Sequence, residues 1–116
     1  MAEPVILVAE DEAQIRMLIT EYLSDSGFKV VEAPNAEAAL NVIDSREIDL
    51  VFTDVNMPGT MQGDSMADWL STHRPALPVI VTSGVFKPAL RGSGRRFIRK
   101  PYSVSEVEHQ IRELLH

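Results

Sequence analysis

Apolar residues along this chain fall into two rhythms that alternate. Short runs, too brief for helices, stand at Val5 to Ala9, Phe28 to Glu32, Leu50 to Asp54, Pro78 to Thr82 and Arg96 to Arg99. Several are rich in β-branched residues, and turn residues such as Pro58-Gly59 and Ser83-Gly84 close them, so they read as strands. The fifth alternates polar with apolar and is expected to be partly exposed. Between the runs the apolar spacing becomes helical. Ile15, Leu18, Ile19, Tyr22 and Leu23 define one helical face, which Ser26-Gly27 closes. Asn35 is placed to cap a second helix with Ala36, Ala39, Leu40 and Ile43 on one side. Met66, Trp69, Leu70 and His73 carry a third, ended by Pro75. Ser103 and Glu106 form a capping box before Val104, Val107, Ile111, Leu114 and Leu115. Residues 85–94 should hold a helix too, but Pro88, Gly92 and Gly94 leave room for about two turns. Strands alternating with helices in this way predict a parallel sheet covered on both faces, an α/β domain.

Composition narrows the function classes. The 116 residues suffice for one domain, and their 45% hydrophobic and 24% charged content is that of a soluble globular chain. There is no cysteine, which excludes disulfides and thiolate chemistry. The start, Met1-Ala2-Glu3-Pro4, lacks a basic flank and leads into only a short apolar run, so neither a signal peptide nor a membrane span is expected and the cytoplasm is the expected location. A net charge of −6 argues against direct binding to nucleic acid. Yet six of the eleven basic residues (Lys87, Arg91, Arg95, Arg96, Arg99, Lys100) crowd into one short stretch. That stretch is either a solvated sheet edge or a docking face for an acidic partner.

Ligands of open parallel sheets bind outside the carboxyl ends of the strands. To that edge the sequence delivers Glu10 and Asp11 after the first strand, Asp54 at the end of the third, Ser83 after the fourth and Lys100 after the fifth. Like charges about 4 Å apart repel by roughly 4 kcal/mol at an effective dielectric near 20. Clustered carboxylates therefore need protons or cations, and Mg²⁺ together with the Lys100 ammonium meets that need. A metal, a carboxylate and a lysine are the equipment of phosphoryl transfer, with Asp54 as the nucleophile.

The ordered set Val8-Ala9-Glu10-Asp11-Glu12, Thr53-Asp54-Val55-Asn56-Met57-Pro58, Val81-Thr82-Ser83-Gly84 and Phe97-Ile98-Arg99-Lys100-Pro101-Tyr102 resembles the receiver domain of two-component response regulators. The resemblance spans essentially the whole chain, residues 1–116, read as a receiver domain for which no output domain is expected. It implies a flavodoxin-like (βα)5 three-layer sandwich with strand order 2-1-3-4-5, the fourth helix short or irregular. It further implies that Asp54 is the phosphoacceptor and that Asp11, Asp54 and the backbone carbonyl of Asn56 bind Mg²⁺, with Glu10 helping through a water. Lys100 would pair with Asp54 and then with the phosphoryl group. Ser83 would donate its hydroxyl to a phosphoryl oxygen, and Phe97 would repack as Ser83 moves. The Lys100-Pro101 bond is expected to be cis. The implied donor is the phosphohistidine of a histidine kinase or histidine phosphotransfer protein, and the implied readout is a change in contacts with a downstream protein. No turnover is expected beyond self-catalysed phosphoryl acceptance and loss, with Asn56 and Gly84 flanking the attacking water.

The chain departs from the family pattern in four places. Glu10 stands where aspartate is commoner, and the loop Met57 to Gly63 is one residue longer than usual. Phe97 lacks the hydroxyl of the tyrosine often found there, and the fourth helix is shortened. Other readings fit less well. A haloacid-dehalogenase-type phosphatase wants a second acid where Asn56 stands. A flavin carrier would meet repulsion from Glu10-Asp11-Glu12. A binding module without chemistry gives no reason to cluster acids. Taken alone, Asp11 and Glu12 could simply cap the first helix.

Overall fold

The computed structural model describes residues 3–55, 63–84 and 94–115. Five parallel strands lie in the order β2-β1-β3-β4-β5: β1 Val5–Ala9, β2 Lys29–Ala33, β3 Leu50–Asp54, β4 Val79–Ser83 and β5 Arg95–Arg99. Four helices accompany them among the described residues: α1 Ala13–Asp25, α2 Ala36–Ser45, α3 Gly63–His73 and α4 Val104–Leu114. The expected irregular helix after β4 and the lengthened loop after β3 lie outside the described residues. Strand bounds differ from the sequence expectation by a residue at β2, β4 and β5, because hydrogen-bonded register rather than hydropathy decides where a strand ends.

Successive residues of a strand face opposite sides, and the sheet therefore has two cores. Leu7, Val51, Val79 and Val81 pack with Ala39 and Ile43 of α2 and with Met66 and Leu70 of α3. Ile6, Val8, Leu50, Phe52, Ile80 and Ile98 pack with Ile19 and Leu23 of α1 and with Val107 and Ile111 of α4. The result is three layers, helix over sheet over helix. β1, β3 and β4 are flanked by strands on both sides and show almost unbroken burial.

Local chemistry sets the helix ends. Asn35 Oδ1 accepts the Ala38 amide at 2.8 Å, and Ser103 Oγ accepts the Glu106 amide at 3.2 Å. Gly27, at φ +100°, ends α1 in a left-handed conformation that leaves the Phe28 amide bonded to the Leu23 carbonyl at 3.1 Å. Asp11 and Glu12 stand just before α1, at the amino end of its dipole, and the cap residue Glu12 makes no side-chain cap bond. At the end of α3, His73 stacks on Trp69 with ring centroids 4.0 Å apart, and its Nδ1 lies 3.0 Å from the Trp69 carbonyl. The basic stretch is largely tied down where it is described. The Arg95 guanidinium donates to the Leu77 carbonyl, and Arg96 donates to Gln110 and to Glu113 at 2.6 Å.

The expected inner face of α1 needs correction. Ile19 and Leu23 are buried, whereas Leu18 is 63% exposed, with Met17 and Tyr22 also exposed. A helix lying on a sheet buries a narrow stripe, here Ile15, Ile19 and Leu23 at fourfold spacing, and the i+3 positions fall on its flank. Ile19→Ala should therefore lower stability by about 2–5 kcal/mol, and Leu18→Ala should stay within about 0.5 kcal/mol of the parent. Urea midpoints at constant m-value measure both.

Candidate functional site

The strands run parallel and in close register, so their carboxyl ends share one edge. Ala9 stands opposite Thr53, Asp54 opposite Thr82, and Ser83 opposite Arg99. Each chain segment leaves its strand there with a polar residue. Glu10 follows β1, its amide bonded to the Ala33 carbonyl of β2 at 3.0 Å. Asp54 is the last residue of β3 and Ser83 the last of β4. Lys100 follows β5, and its amide donates to the Ser83 carbonyl at 3.0 Å.

Three of these groups form a single acidic cluster. One carboxylate oxygen each from Glu10, Asp11 and Asp54 lies within 4.8 Å of the other two. Glu10 and Asp54 are buried, and Asp11 opens to solvent. The Asp11 amide donates to Glu10 Oε2 at 2.9 Å, which turns the Glu10 carboxylate back across the loop. Opposite stands Lys100, its Nζ 2.5 Å from Asp54 Oδ2. The Lys100-Pro101 peptide is cis, as expected. Gly84 lies beside the lysine, and a Cβ there would make ordinary van der Waals contact with Lys100 Cβ at 3.5 Å and Cδ at 3.9 Å. Next to the lysine, the ring of Tyr102 packs edge-on against Phe52 with centroids 5.8 Å apart.

The electrostatics follow from that crowding. Burial, proton sharing with Asp11 and repulsion from Asp54 push Glu10 up from 4.5 to about 7, although Lys100 works the other way. Burial opposes the charge of Lys100, but the hydrogen bond and charge of Asp54, helped by Glu10 and Glu12, hold its pKa above the ordinary lysine value. Burial, followed by the charges of Glu10 and Asp54, raises the Tyr102 phenol. Hard carboxylate oxygens on one open side suit a divalent cation that keeps part of its water shell, so the donor set fits Mg²⁺.

The structure brings together Glu10, Asp11, Asp54 and Lys100 as the sequence implied. Ser83 is buried at the same edge, and Phe97 is half-buried in β5 opposite Val81. Asn56 lies outside the described residues. Sequence reasoning passed over Arg16, whose Nη1 donates to the Glu10 carbonyl at 2.7 Å and whose Nε donates to Glu32 Oε1 at 3.0 Å. Its only sequence signal is a position one helical turn past Glu12.

Glu10 holds its proton more tightly in the folded state than in the unfolded one. Its contribution is therefore complete below about pH 4.5 and is lost as pH rises through about 7. Metal-free protein should lose on the order of 1–3 kcal/mol between pH 5 and pH 8. Glu10→Gln should flatten that slope in denaturant titrations run with chelator.

Comparison with known proteins agrees with the geometry. Residues 6–112 match the response regulator receiver domain. The chain is 36% identical over 107 residues to the DNA-binding transcriptional regulator NtrC of Bradyrhizobium sp. (strain RP501 Parasponia), covering 88% of this chain and 22% of that protein. It is 32% identical to the transcriptional regulatory protein PdtaR of Mycobacterium tuberculosis, covering 88% of this chain and 52% of the relative. Thus it spans between about a fifth and about a half of the length of these relatives. Among solved structures, the receiver domain of NtrX from Brucella abortus superposes with a TM-score of 0.81 at 30% identity, over 95% of this chain and 97% of that one. The receiver domain of the hybrid histidine kinase CckA gives 0.81 at 28% identity, over 97% and 99%. With the match running almost end to end, this chain belongs to the response regulator receiver domain family.

Proposed function

We propose that this domain is a phosphoacceptor of a two-component or phosphorelay system, charged on Asp54 by the phosphohistidine of a histidine kinase or histidine phosphotransfer protein. The observation that carries this reading is the placing of Lys100 Nζ 2.5 Å from Asp54 Oδ2 on one side, with Glu10 and Asp11 on the other. In the reaction an Asp54 carboxylate oxygen attacks phosphorus and the P–N bond breaks. The donor imidazole, protonated on its other ring nitrogen, takes the electron pair and leaves neutral, and Asp54 becomes an acyl phosphate. Glu10, Asp11 and Asp54 would hold Mg²⁺, which supplies charge neutralisation at the phosphoryl oxygens. Lys100 adds a second positive charge and follows the phosphoryl group once Asp54 is phosphorylated. Ser83 donates its hydroxyl to a phosphoryl oxygen, and Phe97 repacks against the vacated space. Differential contacts of this sort couple phosphorylation to partner binding by about 1–3 kcal/mol. The domain turns over no separate substrate; it takes up and loses its own phosphate in the cytoplasm and signals through a protein target.

The surface beside the site fits a protein donor. An open groove lined by Ile15, Leu18, Pro101, Tyr102 and Val104 runs between α1 and the start of α4, and Lys100 stands at its side. Exposed Met17 and Leu18 extend this apolar ground along α1.

Incubated with acetyl phosphate and Mg²⁺, the protein should gain the mass of one phosphoryl group. That gain should vanish with EDTA or in Asp54→Asn; a gain surviving Asp54→Asn refutes the assignment. Leu18→Glu should slow transfer from a phosphorylated histidine protein about tenfold or more, leaving charging by acetyl phosphate intact. Radiolabel transfer assays separate the two routes.

A further inference from the structure

We propose that Arg16 is the positioning residue of the acidic cluster, fixing the Glu10–Asp11 loop so that both carboxylates face Asp54 and a cation. This rests on reading the cluster as the Mg²⁺ site. The Glu10 amide reaches Ala33, the last residue of β2. The Glu10 carbonyl lies one step further on, where β2 has ended and offers no ladder amide. Arg16 supplies the missing donor from Nη1 at 2.7 Å. Its Nε meanwhile binds Glu32 Oε1 at 3.0 Å, and its side chain is only 18% exposed. Two bonds from two nitrogens of a planar group set its orientation as well as its place. The guanidinium thus joins the end of β1, the edge strand β2 and the first turn of α1, a turn whose cap residue makes no side-chain bond of its own.

The atom that Arg16 touches matters. Three acids within 4.8 Å of one another push apart, and Lys100 restrains the Asp54 side through its bond to that carboxylate. A cation placed on the Glu10 or Asp11 carboxylate would steady the loop but would compete with metal for the same oxygens. Arg16 binds the backbone carbonyl instead and spends its charge on Glu32. It restrains the loop from behind and leaves the carboxylate oxygens available. An ordinary exposed ion pair between α1 and β2 would contribute roughly 0–1 kcal/mol and would leave cation binding unaltered.

Calorimetric Mg²⁺ titrations of the intact protein, Arg16→Ala, Arg16→Lys and Glu32→Gln test the assignment, with amide hydrogen exchange measured on the metal-free proteins. Outer groups that orient metal-binding side chains typically change affinity about 10–100-fold when removed. Arg16→Ala should bind Mg²⁺ weaker by that factor, and Arg16→Lys and Glu32→Gln should fall between it and the parent. The Asp11 amide should exchange faster in Arg16→Ala while the amides of β3 keep their protection. Unchanged Mg²⁺ affinity in Arg16→Ala overturns the assignment alone. A loss of affinity that appears only together with lost protection across β3 overturns it as well, because the arginine would then be merely structural. A parent protein that takes up no Mg²⁺ overturns the phosphoacceptor reading and this assignment together.

Discussion

Negative charges that repel one another sit at one edge of this sheet because the backbone leaves them little alternative. Parallel strands in close register end together, so Glu10, Asp54, Ser83 and Lys100 arrive at the same level whatever their charges prefer. The opposing force comes from the two apolar cores, which hold β1, β3 and β4 buried on both faces. Local electrostatic cost is thus sustained by burial elsewhere in the fold, a common arrangement at functional sites. The Lys100–Asp54 pair relieves part of the repulsion, while Glu10 is raised first by burial and then by its neighbours Asp11 and Asp54.

Much of this was legible in the sequence, for a physical reason. Strand cores and strand-end residues announce themselves through abrupt changes from apolar to polar, and parallel topology converts those changes into a place in space. That is why Glu10, Asp11, Asp54 and Lys100 could be assembled from 116 letters. Cap residues were equally readable, because Asn35 and Ser103 act on amides only three positions ahead. The inner face of α1 was less so. Leu18 and Tyr22 satisfy the helical period, but how wide a stripe is buried depends on where the helix rests on the sheet. Arg16 was harder still. Its partners are a backbone carbonyl, which any residue would present, and Glu32, sixteen positions away on strand β2.

Charge placement also separates two kinds of basic residue within one stretch. Arg95 and Arg96 are engaged with the α3–β4 connection and with α4, so they serve to seal the outer strand β5. Lys100, one residue past that strand, faces Asp54 instead. A cluster that looks uniform in sequence is thus split between edge closure and chemistry. Its split follows from where β5 stops.

The stacked pair at the end of α3 has a practical corollary. Trp69 is the sole indole of the chain, and its ring lies against His73, which lines a hollow with Asp49 and Pro78 just before β3 and β4 begin. That is the pole remote from Asp54. Emission from this indole will report the packing of its imidazole neighbour, and a spectroscopist who chose it as a convenient gauge of acyl phosphate would be watching the wrong end of the molecule.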